Sequence, residues 1–361
     1  MNKGVISVFS ENTRAELVIL NFVTDQEDPI LGFAHEWINE LAALYDSILV
    51  ISGSIGVTNL PSNVNVKSTG WKKGKKVQNF LRALLTVNVG LLTSKPKIVF
   101  THMNYWFSIL AFPATLVLSC RQILWYSHAH KKRTLFLATA LNDVILTPVR
   151  ESFPIQTDKV YPIGHAINTH YFNYKENQFG VLENFVHVGR LDDVKRLSFI
   201  LNTLREFRKI TNTKTIKFDQ IGSPSDDTNT LERDEFLNTI EKEESWTNFY
   251  ESCGRSELGK RLEHYQVFLH ASLGSIDKAP LEAALAGLIV LTDDPLTYRE
   301  LGSSEVMGEY TGLAIQLEIL HELSESERVK LQYVQRQNVL TNHSLSTLGQ
   351  RFMSAVAQSQ S

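Results

Sequence analysis

Short runs of apolar, often β-branched residues alternate along the chain with stretches whose apolar residues recur at steps of three and four. In the first half the runs at 17–22 (LVILNF), 47–52 (SILVIS), 97–102 (KIVFTH), 122–128 (QILWYSH) and 143–148 (DVILTP) predict strands. Between the first two, 32–45 (GFAHEWINELAALY) carries the helical period. The strand pattern restarts at 184–190 and continues at 215–222, 245–252, 265–272, 288–294 and 312–317, and helical patterns at 323–340 and 345–358 close the chain. Such alternation predicts parallel sheets covered on both faces. The stretch 165–184 is polar and aromatic with no strong period, and it divides the two runs. The expected fold class is therefore α/β, with two doubly wound, Rossmann-like domains facing across a cleft. Their expected spans are 1–165 and 166–340, with 341–361 as a C-terminal helix packing back towards the first domain. Open parallel sheets bind ligands at the carboxyl ends of their strands, so the loops after the strands hold the candidate chemistry.

Composition changes this picture little. The 361 residues are 43% hydrophobic and 21% charged, ordinary for a soluble globular chain with a full core. Cys120 and Cys253 stand far apart without a CxxC, which disfavours a disulfide framework or a structural zinc site and leaves a reducing cytosol as the expectation. The first residues lack a basic head followed by an apolar run, so no signal peptide is expected. The uncharged stretch 103–120 is near the length of a membrane span, ~17–20 residues, but it contains Asn104, Ser108, Pro113 and Thr115 and follows a strand pattern. It reads as a buried helix between two strands.

Charge changes it more. The net charge of −3 conceals a difference between the halves. Residues 1–165 hold sixteen Lys/Arg against eleven Asp/Glu, and the remainder twenty against twenty-eight. Over 47–142 there is no acid at all, but twelve basic residues, with clusters WKKGKK and HAHKKR. A block of one sign suggests an anionic partner. In 71–85, Trp71, Phe80, Leu81, Leu84 and Leu85 are interleaved with Lys72, Lys73, Lys75, Lys76 and Arg82. That is the pattern of a basic amphipathic helix lying on an anionic membrane surface. The competing reading packs the apolar residues onto a sheet and leaves the lysines solvated.

No GxGxxG opens either half, IGSPSD (221–226) is only a glycine loop, and GxxxxGK[ST], HExxH and GxSxG are absent. Nicotinamide, flavin and P-loop chemistry are thereby disfavoured, and neither a cofactor, a metal site nor a nucleic-acid partner is expected. In VHVGRLDDVKRLSFIL (186–201) a strand ends at Gly189, Arg190 follows, and Lys195 stands at a helix start. Both cations converge on one anion if the helix N-terminus assists. Taken alone, the same residues fit two exposed basic side chains equally well. Glu282 sits in the first turns of a helix made thin by Ala283, Ala284, Ala286 and Gly287. Dipole stabilisation is the plain reading; hydrogen bonds to a vicinal diol are the functional one.

Together these segments resemble the retaining family 4 glycosyltransferases of the GT-B fold. VGRLDDVKR is similar to that family's phosphate-binding segment, APLEAALAGLIVLTDD to its donor helix and next strand, LWYSHAH (124–130) to its histidine segment, PIGHAINTHYF (162–172) to its linker strand, and DPILGFAHEWINEL (28–41) to its first loop and helix. The resemblance implies a nucleotide-diphosphate sugar as donor substrate and a glycan or lipid-linked acceptor. It implies that Arg190 and Lys195 hold the diphosphate beside Gly189, that Glu282 binds the ribose, that His128 faces the donor sugar, with His130 close by in sequence, and that Gly32 lines the loop beneath it. The family's usual Glu eight residues before the ribose ligand is here Gly274, within a Gly-Ser-x-Asp-Lys pattern that some bacterial members share. Asp277 or Lys278 then takes over contacts to the sugar; the alternative is weakened activity. Other readings left open are a nucleotide-sugar epimerase and a non-catalytic nucleotide-sugar-binding subunit. The expected location is cytoplasmic, peripheral at the inner face of the cell membrane.

Overall fold

The computed structural model describes residues 14–28, 31–128, 131–174, 179–224, 230–241, 246–274 and 276–359. His130, Ser275 and parts of the first loop, the 165–184 stretch and the 221–226 glycine loop lie outside them. The chain forms two compact units, one built up to Ile163 and again from Leu348, the other from Gly164 to Thr347.

In the first unit the elements run β1 (Leu17–Thr24), α1 (Phe33–Ala42), β2 (Ile48–Ile55), β3 (Val64–Ser68), α2 (Lys76–Ser94), β4 (Ile98–His102), α3 (Trp106–Leu118), β5 (Arg121–Trp125), α4 (Arg133–Leu141), β6 (Val144–Thr147) and β7 (Val160–Pro162). All pairings are parallel, in the order β3-β2-β1-β4-β5-β6-β7. β1 and β2 are buried almost throughout, as strands covered on both faces must be. The two strands without a prediction are edges: β3 alternates Val with Asn and Lys and is largely half-exposed, and β7 has three residues and ends in Pro162. The uncharged stretch forms α3, and among the described residues no helix is long and apolar enough to cross a membrane.

The second unit continues with β8 (Asn184–Val188), α5 (Leu197–Ile210), β9 (Lys217–Ile221), α6 (Thr230–Glu241), β10 (Thr247–Tyr250), α7 (Arg255–Leu262), β11 (Val267–His270), α8 (Lys278–Ala286), β12 (Ile289–Thr292), α9 (Pro295–Glu300), α10 (Ser304–Met307), α11 (Leu313–Glu322) and α12 (Glu325–His343). Its parallel sheet has the order β10-β9-β8-β11-β12. The last helix, α13 (Leu348–Gln358), belongs to the first unit, where Phe352 packs edge-on against Phe100 at 5.2 Å and the Val356 carbonyl accepts from Arg121 at 2.8 Å.

One expected strand is a helix. The run at 312–317 lies in α11, whose buried residues Leu313, Gln316, Leu317 and Leu320 follow a helical step. A six-residue apolar window does not separate the two periods. Gln316 shows what replaces the missing strand. Its amide accepts from Thr292 N–H at 3.0 Å and donates to Thr292 O at 2.7 Å. Gln335 of α12 does the same for Val290, both bonds being 2.8 Å. Two buried glutamines thus satisfy the outer backbone groups of edge strand β12.

Candidate functional site

The strand order of the second sheet reverses between β8 and β11, and such a switch point leaves a crevice at the carboxyl ends. The two strands pair only at Val267 with Phe185 and Phe268 with Val186, so the ladder has parted over their last residues. The His187 ring fills the gap: its Nδ1 lies 2.7 Å from Leu269 O. A carbonyl only accepts, so Nδ1 carries the proton and Nε2 is a bare lone pair. Burial lowers the His187 pKa to about 3, keeping the ring neutral. A side chain at Gly189 would meet Nε2 at 2.8 Å, and one at Gly222, whose φ is +148°, would strike Gly189 O. The glycines let two loop backbones close over that ring.

Beyond Gly189 the chain makes a 3₁₀ turn, Asp193–Lys195, then passes through Arg196 at φ +51° into α5. This bend turns Lys195 inward, where its side chain is 13% exposed and Nζ lies 2.5 Å from Asp277 Oδ2. Asp277 occupies the N-cap position of α8 but caps none of its N–H groups. The same carboxylate oxygen lies 3.3 Å from Nε2 of His270, whose Nδ1 is 2.8 Å from the Thr292 hydroxyl. Burial alone would raise the Asp277 pKa; the hydrogen bond from His270 and the Lys195 charge outweigh it and hold the carboxyl well below its ordinary range.

Arg190 remains 58% exposed and pairs with Asp192 at 3.1 Å. A third cation, absent from the sequence reading, is Arg196, which donates to Asp293 at 2.6 Å and to Ala271 O at 3.2 Å and lies over the Phe199 ring. Its signal was present as the last residue of VKR. The two acids that follow β12 have defined work: Asp293 holds Arg196, and Asp294 caps α9 through Thr297 N at 2.9 Å while accepting from Gly274 N at 3.2 Å.

Glu282 is the exception among these charges. It is 7% exposed on α8, yet its carboxylate has no hydrogen bond or ion pair among the described residues. Ala283, Ala284 and Ala286 follow it on the helix, and Gly287 ends the helix at φ +92°. Lys278 opens the same helix, half-buried, and its charge adds to burial in lowering the pKa of His165. Gly274 has φ +87°, a conformation that L side chains rarely adopt.

Gly189, Arg190, Lys195, Asp277, Lys278 and Glu282 thus belong to one unit, on the loops after β8 and β11 and on α8. Gly32 and His128 belong to the other. Gly32 is the N-cap of α1, where a side chain would strike Asp28 O at 2.6 Å. His128 follows β5, exposed, with its ring edge-on to Tyr126 at 5.4 Å. Among the described residues no group of three or more His, Cys, Asp or Glu is arranged to hold a metal ion.

No protein-family model matches the chain, and no characterised protein matches it by sequence. Its fold has many counterparts among solved structures. Sucrose-phosphate synthase (tll1590) from Thermosynechococcus elongatus superposes with a TM-score of 0.73 at 12% identity, over 95% of this chain and 99% of that one. Anabaena Alr3699/HepE, solved in complex with UDP and glucose, gives 0.71 at 13% identity, over 95% and 100%. The lipopolysaccharide outer core galactosyltransferase WaaB gives 0.68 at 12% identity, over 95% and 99%. The chain has the GT-B fold of these proteins, two α/β domains built on parallel sheets.

Proposed function

We propose that this chain is a retaining glycosyltransferase of family 4 type, moving a sugar from a nucleotide-diphosphate donor to a glycan or lipid-linked acceptor in the synthesis of a cell-surface polysaccharide. The observation that carries the reading is Glu282: a carboxylate without a partner among the described residues, on a largely buried residue of a thin helix at the carboxyl edge of a doubly wound sheet. The Glu282 oxygens remain open to solvent and therefore to a ligand. A ribose diol supplies two hydroxyl donors to one carboxylate. Solved structures of the same fold hold UDP and UDP-glucose, which supports a nucleotide-sugar at this edge.

In this reading Lys195 and Arg190 take the diphosphate. Negative charge grows on the leaving phosphate as the sugar–phosphate bond lengthens, and fixed cations stabilise it without reorganising. Asp277 acts through Lys195: it holds the ammonium in one position and is itself held by His270. Its carboxylate is therefore committed, which leaves Lys278 the better candidate for direct contact with the sugar. The cations take the role a metal has elsewhere, and no cofactor is used. The protein works in the cytoplasm, where Lys72, Lys73, Lys75 and Lys76 bring it to the inner face of the membrane.

A second reading is a nucleotide-sugar-binding subunit without catalysis. Gly274 favours it, because the usual acid is missing and Asp277 is engaged with Lys195. The deciding experiment is donor consumption by the purified protein with a panel of nucleotide-sugars and acceptors, read by nuclear magnetic resonance. Release of nucleoside diphosphate with a product of retained anomeric configuration supports the transferase. Binding without turnover supports the subunit.

A further inference from the structure

The helix α2 is built inside out. Its buried residues are Asn79, Ala83, Val87, Gly90, Leu91 and Ser94, mostly small or polar. Gly90 lies so close to the sheet that a side chain there would meet Ile51 at 2.7 Å. Six larger apolar residues face out instead: Val77, Phe80, Leu81, Leu85, Val89 and Leu92 are between 37% and 75% exposed. The helix's other exposed residues are Lys76, Gln78 and Thr93. From Val77 to Leu92, at ~1.5 Å per residue, the stripe is about 24 Å long. Scattered exposed leucines need no explanation, but a continuous stripe along one helix marks an interaction surface.

The charge beside the stripe selects the partner. Lys72, Lys73 and Lys75 precede the helix in a turn that passes through Gly74 at φ +80°, and with Lys76 all four lysines are exposed. No acid occurs anywhere in 47–142. A second copy of the chain meeting this face about a two-fold axis would bring no acid from this region to the lysines. An anionic bilayer offers both requirements, an apolar layer beneath a negatively charged surface.

We propose that the outer face of α2 inserts into the headgroup boundary of an anionic membrane, with Val77, Leu81, Leu85 and Leu92 in the acyl edge and the four preceding lysines on the lipid phosphates. The lysines alone give a loose electrostatic attraction; the stripe adds a component that salt does not remove. This extends the acceptor side of the proposed function, yet its test requires neither donor nor acceptor.

The test is co-sedimentation with phosphatidylcholine vesicles, with and without phosphatidylglycerol, at low and high salt. The wild-type chain should pellet with anionic vesicles and keep part of that binding at high salt. Replacing the four lysines by Gln should lower the partition about fivefold for each lysine, chiefly at low salt. Leu81→Ser with Leu85→Ser should lower it about tenfold or more at both salts. All six positions are exposed, and thermal melting checks that the variants fold. Wild-type chain left in the supernatant with both vesicle types overturns the proposal. So does a Leu81→Ser, Leu85→Ser variant that binds like the wild type, and so does a wild-type dimer in lipid-free buffer that this variant turns into a monomer, which would make a second copy the occupant. A failure here leaves nucleotide-sugar binding untouched, and the reverse holds as well.

Discussion

Two cationic regions of this protein are built on opposite terms. In the loop between β8 and α5 each basic residue has its own carboxylate: Lys195 has Asp277, Arg196 has Asp293 and Arg190 has Asp192. Around α2, by contrast, no acid occurs in the sequence from 47 to 142, and the cluster lysines stand exposed. Paired cations are fixed in position, as recognition of one small anion in one geometry requires. Unpaired surface cations are mobile and suit a diffuse anionic surface, where number counts for more than position. The paired region also contains the reverse case, the buried acid Glu282 with no cation. In the proposed reading, charge alone separates a site for a molecule from a site for a surface.

The largest effect that sharpens this contrast comes from acid. His187 and His165 are held neutral by burial, His187 with its pKa lowered to about 3, so the unfolded chain binds more protons than the folded one below about pH 6.5. Their contribution is complete above that pH and declines as pH falls towards 3. For His187 alone the full loss, reached below about pH 3, is on the order of 4–5 kcal/mol. Urea melts at pH 7 and pH 4 should show about 3 kcal/mol of it, and His187→Gln should flatten the slope. The Asp277 contribution, from a lowered carboxyl, is lost only further down, below the ordinary carboxylate range.

Next in size is Lys195→Ala. It removes the charge at the leaving group and leaves Asp277 with His270 alone, so transfer at saturating donor should fall by roughly 3 kcal/mol or more, over a hundredfold. Wild-type turnover in that variant would break the comparison at its strongest point. Asp277→Asn, measured beside it, should slow kcat more than it raises KM, because the ammonium stays but is no longer fixed. A smaller effect is expected on stability: Glu282→Gln without ligand should change it by no more than about 0.5 kcal/mol in thermal melts, since the carboxylate it removes has no partner among the described residues and stays open to solvent. Placing an acid at this position as Gly274→Glu should cost about 1–2 kcal/mol in thermal melts, because position 274 has φ +87°, and should not raise turnover. The smallest expected change is none: transfer should persist in excess chelator, and loss reversed by magnesium or manganese would contradict a cation-only site.

The alternation of strand and helix patterns was enough to read the fold class, because parallel strands covered on both faces are continuous apolar runs. It did not reach β3 or β7, whose edge positions remove that signal, and it took α11 for a strand because the window at 312–317 is too short to show its period. The site residues were legible as residue types after strands. Their pairings were not. Nothing in VKR says that a left-handed Arg196 turns Lys195 inward and itself outward to Asp293, or that Asp277 forgoes capping its own helix to meet Lys195. Those follow from backbone bends that only the fold imposes. Likewise Phe80, Leu81 and Leu85 read equally well as core or surface, until Gly90 and Ala83 proved to be the inner face.

The central claim is that the unpaired Glu282 awaits a nucleotide ribose, and calorimetric titration tests it most directly. Uridine, adenosine and guanosine diphosphates are titrated into the wild-type chain, Glu282→Gln and Glu282→Ala. The account predicts that at least one nucleotide binds the wild type, that Glu282→Ala weakens it by about tenfold or more, and that Glu282→Gln falls between, since an amide keeps one acceptor. Equal affinity in Glu282→Ala, or no binding of any of the three to the wild type, would contradict it.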